Sequence, residues 1–173
     1  MISKIYNRFK EEKIHKFLWT LTEKYPHKVR DIRVNGNLYL RRFYITPIDL
    51  EDNNIVNEPE GHSIYLHYFY RGDDDIELHN HPWDRAMSYI ICGGYLEEKK
   101  DKDSDNVTIN DIKPGTFNFI KGNDFHRVIM KPNVKHVWTL FIVGKRTKDW
   151  GFWNKTTKEY LNYLDFFEKK SRI

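Results

Sequence analysis

The residues of this sequence best suited to chemistry are three histidines. His79 and His81 stand one residue apart in Glu77-Leu-His79-Asn-His81-Pro-Trp83. In a strand, alternate side chains share a face, so Glu77, His79 and His81 point one way while Leu78 and Asn80 point the other. Two imidazoles side by side begin a site for Zn, Fe, Mn, Ni or Cu. Such a site needs a further ligand from a neighbouring strand. His126 is placed to give it, because it opens the β-rich run Phe125-His-Arg-Val-Ile directly after a turn. The competing reading is two ordinary polar residues beside a Pro-Trp turn, since a chain with eight histidines produces such pairs by chance.

The elements that must position these residues are mostly short strands. The segment 1–24 reads as a helix, with Ile5, Phe9, Phe17, Leu18 and Leu21 at three- and four-residue steps and Tyr25-Pro26 as its stop. Val29–Val34 and Leu38–Ile45 flank Asn35-Gly36-Asn37, a strong hairpin signal. Residues 46–61 read as a polar loop. Strands are expected over Ser63–Tyr70, Ile76–His81, Met87–Glu97, Val107–Ile112, Thr116–Ile120, Phe125–Met130 and Val137–Val143. Gly93-Gly94 interrupts the third of these, where glycine marks a bend or a close backbone approach. Tyr160, Leu161, Leu164 and Phe167 give helical spacing over 156–170. Strands with helices only at the ends predict an all-β sandwich or barrel. The expected layout is one domain over 1–173, with a helical extension over 1–24, a barrel over 28–145 and a tail over 146–173.

Composition narrows the function classes. The chain has 173 residues, 16% of them aromatic, which excludes wholesale disorder and predicts an aromatic-rich core. Cys92 is the only cysteine, so a disulfide scaffold is excluded. It sits among apolar residues with no basic neighbour, and is expected to be buried and inert. No long apolar run suggests a membrane span, and the N-terminus has no apolar signal core, so a cytoplasmic protein is expected. The net charge of +4 comes from 29 basic and 25 acidic residues of interleaved sign. That balance fits solvated lysines better than nucleic acid, and no nucleic-acid motif is present.

From Ile64 to Trp153 the sequence resembles the cupin superfamily. His79, His81 and Gly93 match the first cupin motif in order and distance. The glutamate that the family places between them is missing; Arg85 and Ala86 stand there, with Asp84 close by. Gly115 and His126 match the second motif, while Lys121, Asn123 and Met130 replace its proline, glycine and asparagine. A closer resemblance is to a group of small bacterial and viral cupins. It is carried by Leu66-His67 with Arg71, Leu78-His-Asn-His-Pro-Trp83, Gly93-Gly-Tyr95, His126-Arg-Val128, Trp138-Thr-Leu140 and Trp150-Gly-Phe-Trp153. The resemblance implies a double-stranded β-helix, the jelly-roll barrel, with a metal centre of His79, His81 and His126. Loss of the motif glutamate implies a three-histidine site of the kind that thiol dioxygenases of the superfamily use with ferrous iron. Zn, Mn or Ni are chemically acceptable too. Asp84, Glu77 or His67 could add a fourth ligand, or a carboxylate could orient a histidine or move a proton.

Other residues are expected to serve a substrate. Arg41 and Arg42 are adjacent, so one of them faces inward, where an arginine needs a partner; Arg41 is the candidate anion holder. Arg71 is a further cation for an acid, Tyr89 an acid/base or binding group, and Trp83 a stacking surface. Arg127 faces away from His126 and reads as structural. The expected function is a small metal-dependent enzyme, first a non-haem iron dioxygenase, acting on a small polar or anionic molecule. Its rivals are a metal-independent isomerase or epimerase of sugars or sugar nucleotides, and a non-enzymatic module binding a ligand or nucleic acid. A homodimer is a further expectation.

Overall fold

Strand-forming alternation from Lys28 onward produces two antiparallel sheets that face each other. The computed structural model describes residues 2–24, 28–34, 36–46, 49–51, 54–57, 61–73, 75–103 and 105–171. The Tyr25-Pro26 stop, Asn35, Asp74 and parts of the 46–61 segment lie outside these. Helix α1 spans Ile2–Lys24. The strands are β1 (Lys28–Val34), β2 (Asn37–Tyr44), β3 (Asp49–Glu51), β4 (Asn54–Asn57), β5 (Ser63–Phe69), β6 (Leu78–His79), β7 (Arg85–Cys92), β8 (Tyr95–Lys100), β9 (Thr108–Ile112), β10 (Phe117–Lys121), β11 (Phe125–Met130), β12 (Val137–Val143), β13 (Gly151–Trp153) and β14 (Tyr160–Asn162). Helix α2 closes the described chain at Tyr163–Ser171.

One sheet runs β1-β2-β5-β12-β7-β10 and the other β14-β13-β6-β11-β8-β9. This is the jelly-roll arrangement expected from the sequence. Parity fixes what each strand sends inward. On β12, Val137, Thr139, Phe141 and Val143 are buried, and β7 alternates in the same way through Ala86, Ser88 and Ile90. On β2, Leu40 and Arg42 share the inward face, which leaves Arg41 and Phe43 on the outer one.

Part of the outer face of the first sheet is covered by α1, while Phe117 and Phe119 of β10 on the same face stay exposed. Leu18 joins Phe43, Leu66, Tyr68, Cys92 and Trp138 in one core cluster, with Ile14 and Trp19 packed against it. Trp138 donates its indole N–H to His15 Nδ1 at 3.2 Å, which ties helix to sheet. Phe9 and Phe17 belong to the helix stripe legible in the sequence, yet they are exposed. The helix docks through the face of Ile14, Leu18 and Trp19 instead, because those side chains meet the aromatic outer face. Cys92 lies buried in this cluster, and burial pushes its thiol up to about 12.

Two expectations are corrected. Part of the 46–61 loop forms a separate two-stranded hairpin, β3 with β4. The C-terminal helix begins only at Tyr163, since 160–162 pairs with β13 as a strand. Asn162 then caps α2 by accepting the Leu164 N–H at 3.0 Å.

Gly93 and Gly94 do what the sequence suggested. Both have positive φ, 82° and 91°, and they carry the chain from β7 in one sheet to β8 in the other. A Cβ on Gly93 would stand 2.1 Å from the His136 carbonyl oxygen. Gly93→Ala is therefore expected to cost roughly 2 kcal/mol or more in urea unfolding. A midpoint equal to the parent's would show that this crossover relaxes freely.

Candidate metal centre

The barrel encloses a cavity of about 370 Å³ between the two sheets. Two strands and the turn after one of them bring the histidines to it. β11 pairs with β6 so that His126 lies directly opposite His79. His81 follows two residues on, where Pro82 ends the extended run. One ligand-type atom from each of His79, His81 and His126 lies within 4.8 Å of the others. Among the described residues this is the one such cluster of three or more potential metal ligands. The spacing read from the sequence thus becomes a convergence in space.

Hydrogen bonds fix the rings. His126 donates its Nδ1–H to Glu97 Oε1 at 2.6 Å, which leaves its Nε2 facing the cavity. That Nε2 lies 2.7 Å from His81 Nε2, so one of the two donates to the other. Glu97 is 1% exposed and also accepts from the Asn118 side chain at 2.8 Å. Burial works to raise the Glu97 carboxyl, but the bonds from His126 and Asn118 and the His126 charge hold it below its usual value. On the other side, the Asp73 carboxylate stands 3.9 Å from His79 Nδ1. Burial pushes His79 down to about 4, offset in part by Asp73. His81 is driven well below the usual histidine range by burial, then by the neighbouring histidines. Both rings are therefore neutral at pH 7, the form that ligates.

The remaining wall is a mixture. Trp83 stacks on His81 with ring centroids 5.3 Å apart, and Phe141, Ile120 and Phe69 supply apolar surface. Tyr95, Ser88 and Thr139 add hydroxyls. Trp150 stands at the rim, stacked on Tyr163 of α2 at 5.3 Å and 5°. His67 lines the cavity but lies outside the three-histidine cluster. Its Nε2 accepts from Arg42 Nε at 2.9 Å, and burial, then Arg42, keep it neutral.

The structure gathers some of the expected site residues and disperses others. Trp83 joins the three histidines in the cavity. Arg41 does not: it lies on the outer face, bound in fork geometry to Asp31 at 2.7 and 2.9 Å, with Trp19 beneath it. Arg42 takes the inward position. Tyr89 also lies on the outer face, against Phe117 at 4.9 Å. Asp84 is outside the cavity lining and pairs with Arg85 at 3.3 Å. Glu77 lines a separate, smaller cavity of about 130 Å³ beside Asp73 and Phe152. Arg71 donates to the Val34 carbonyl at 2.9 Å and so holds the β1–β2 hairpin. Arg127, read as structural, pairs with Glu98 and donates to the Asp75 carbonyl.

Glu97 was the residue that sequence reasoning missed. It sits in Glu97-Glu98-Lys99-Lys100, which looks like a solvated charge run. Its available signal was parity with Tyr95, an aromatic two residues earlier on the same strand.

The sequence matches no protein-family model and no curated protein. Solved structures show the fold. The structure of a cupin 2 conserved barrel domain protein from Rhodopseudomonas palustris superposes with a TM-score of 0.52 at 13% identity, covering 85% of this chain and 87% of that one. Fe(II)-HppE with the alternative substrate (S)-1-HPP gives 0.50 at 11% identity over 69% of this chain. A second Fe(II)-HppE structure, in complex with substrate, gives 0.50 at 9% identity over 68%. The match spans 56% of the length of the HppE chain.

Glu97→Leu removes the acceptor from His126 and strands the Asn118 amide. It is expected to cost about 1–3 kcal/mol of stability. Nitrogen NMR of the imidazoles should find the Nδ1 of His126 protonated in the parent and that preference lost in the variant. An unchanged His126 signal would remove Glu97 from the site.

Proposed function

We propose that this chain, a cupin by fold, is a small metal-dependent enzyme in which His79, His81 and His126 hold one divalent cation and a small molecule binds beside it. The observation that carries this reading is the convergence of three imidazoles on one side of a largely apolar cavity. The donor set fits such an ion. The rings of His79 and His81 are neutral, and Glu97 turns His126 so that Nε2 faces inward. A carboxylate behind a ligating histidine orients the ring and raises its basicity.

Imidazole donors suit Fe, Zn, Mn and Ni alike. Fe(II) is favoured, because three protein ligands leave positions open and an Fe(II) protein, HppE, shares the fold. An iron centre would supply dioxygen chemistry, making a dioxygenase-type oxidation the first reaction to test. The chain's own residues do the rest. Phe69, Ile120 and Phe141 exclude water from the reacting groups. Tyr95, Ser88 and Thr139 present hydroxyls that can orient a bound molecule, and Trp83 both wedges His81 and walls the pocket.

One observation favours a second reading. The His126–Glu97 pair is also the geometry of a general base, because Glu97 stabilises the ring once it takes a proton. With Tyr95 in the same cavity, a metal-independent isomerase or epimerase would have its two proton-transfer groups.

Metal analysis by mass spectrometry separates the two. Protein purified without air or an affinity tag is expected to carry near-stoichiometric metal, and His79→Ala to lose it. Glu97→Gln should weaken metal affinity by about 10- to 100-fold. Iron would be followed by oxygen-consumption assays, and zinc by hydrolysis assays. Folded, metal-free parent protein that takes up no added iron, zinc or manganese would sink the metalloenzyme reading and leave the isomerase ahead.

A further inference from the structure

Two arginines face each other across the first sheet. Arg30 of β1 is the direct register partner of Arg42 of β2, and both line the cavity. Like charges directly opposite on one sheet face repel and destabilise the pair. The described surroundings supply no countercharge. The cavity lining contains three arginines and four histidines and no aspartate or glutamate. Among the described residues, no carboxylate makes an ion pair with Arg30 or Arg42. Their neighbours on the outer face are treated differently: Arg41 there has its own carboxylate, Asp31, as its direct register partner. Arg146 lines the rim and meets Asp149 at 3.9 Å, so it is not part of the unmatched pair.

Arg42 is held in place. Its Nε is used on His67, and its guanidinium carbon lies 4.5 Å from the centroid of the Tyr65 ring. Both contacts are with uncharged groups, which position the cation without cancelling it. A further buried polar atom waits in the same wall. Thr139, on β12 opposite His67, is 1% exposed and its hydroxyl has no hydrogen-bond partner. A sheet that places two unmatched cations and an unused hydroxyl on one cavity wall has left room for an acceptor-rich anion.

We propose that Arg30 and Arg42 form an oxyanion-binding subsite, so that the small molecule taken by this cavity carries a carboxylate or phosphonate-type group. This deepens the reading of the cavity as a small-molecule site. Arginine forks match both groups, and the anion supplies the countercharge that the fold omits. The aromatic and aliphatic wall suits a short apolar body attached to that group, with the other end beside the three histidines. A cavity of about 370 Å³ sets the limit at a compact organic acid.

The test uses the full chain with three probes: propionate, methylphosphonate and the neutral propionamide, each titrated by ligand-observed NMR with and without a chelator. At least one of the two anions is expected to bind about tenfold or more tightly than propionamide, and which one does so identifies the group. Arg30→Gln is expected to weaken that binding by about tenfold while raising the thermal midpoint of the ligand-free protein, because it relieves the repulsion. Arg42→Lys, which keeps the charge and loses the fork, should weaken it too. Arg41→Gln, on the outer face beside Asp31, should leave it within roughly twofold. No preference for either anion, or binding untouched by Arg30→Gln, overturns the proposal. Binding lost in His79→Ala but kept in Arg30→Gln also overturns it, because the anion then sits at the metal centre. Arginine-dependent binding by a protein that takes up no metal would fail the metal reading alone.

Discussion

A single buried contact organises the cavity: the Glu97 carboxylate against the imidazole of His126. A carboxylate at 1% exposure is stable only when its acceptors are filled, and here His126 and Asn118 fill them from two different strands. Those strands belong to opposite sheets, since β10 lies in one and β8 and β11 lie in the other. The bond network therefore does more than turn a ring. It pins the sheets together beside the cavity, and it sets the nitrogen that His126 presents there. His81 then finds its own place from His126, and Trp83 from His81.

That contact depends in turn on the Gly93-Gly94 crossover. Ser88 and Ile90 point into the barrel from β7, and Tyr95 and Glu97 point into it from β8. For consecutive strands to face each other from opposite sheets, the chain must turn sharply between them. Only residues without a Cβ fit against the His136 and Ile112 carbonyls at that turn. The helices play a different part. α1 shields the part of the outer face around Phe43, Tyr68 and Trp138, and α2 stacks Tyr163 on Trp150 at the rim and Phe166 on Phe152 behind it. Neither helix supplies a residue to the cavity lining.

Much of this was legible in the sequence. The hairpin around Gly36, strands β11 and β12 and the pairing of His79 and His81 with His126 follow from turn residues, alternation and spacing. Two of the failures share one cause, which is strands whose two faces are equally apolar or equally charged. In Leu38-Tyr-Leu-Arg-Arg-Phe-Tyr44 both parities carry large apolar residues, so nothing local says that Arg42 rather than Arg41 faces in. Glu97 is hidden the same way inside a run of four charges. Asp84 was expected from its closeness to the motif position, but the chain at Pro82-Trp83 bends towards Arg146, and its carboxylate leaves the cavity. For α1, periodicity identified the helix and missed the buried face. The docking side is chosen by the aromatic sheet beneath it, which no helical window contains.

The charge pattern of the cavity has a consequence for its histidines. A pocket with acidic walls would draw protons onto nearby imidazoles and take away the lone pairs that ligation or base chemistry needs. Here the carboxylates stand behind the rings, Glu97 behind His126 and Asp73 near His79, while the open face of the cavity is cationic. Burial sets His67 and His81 low, and the Arg42 charge lowers both further. Arg42, one of the two arginines that destabilise the empty sheet, thus helps burial to keep His67 and His81 unprotonated. Filling the cavity with residues that cancel those charges would give a more stable barrel, and local repulsion that persists inside a fold is a mark of a site kept for use rather than for stability. In the proposed site the unmatched arginines and the neutral histidines form one arrangement: the cations would hold an acid in place, and the rings beside them would stay free to act on it.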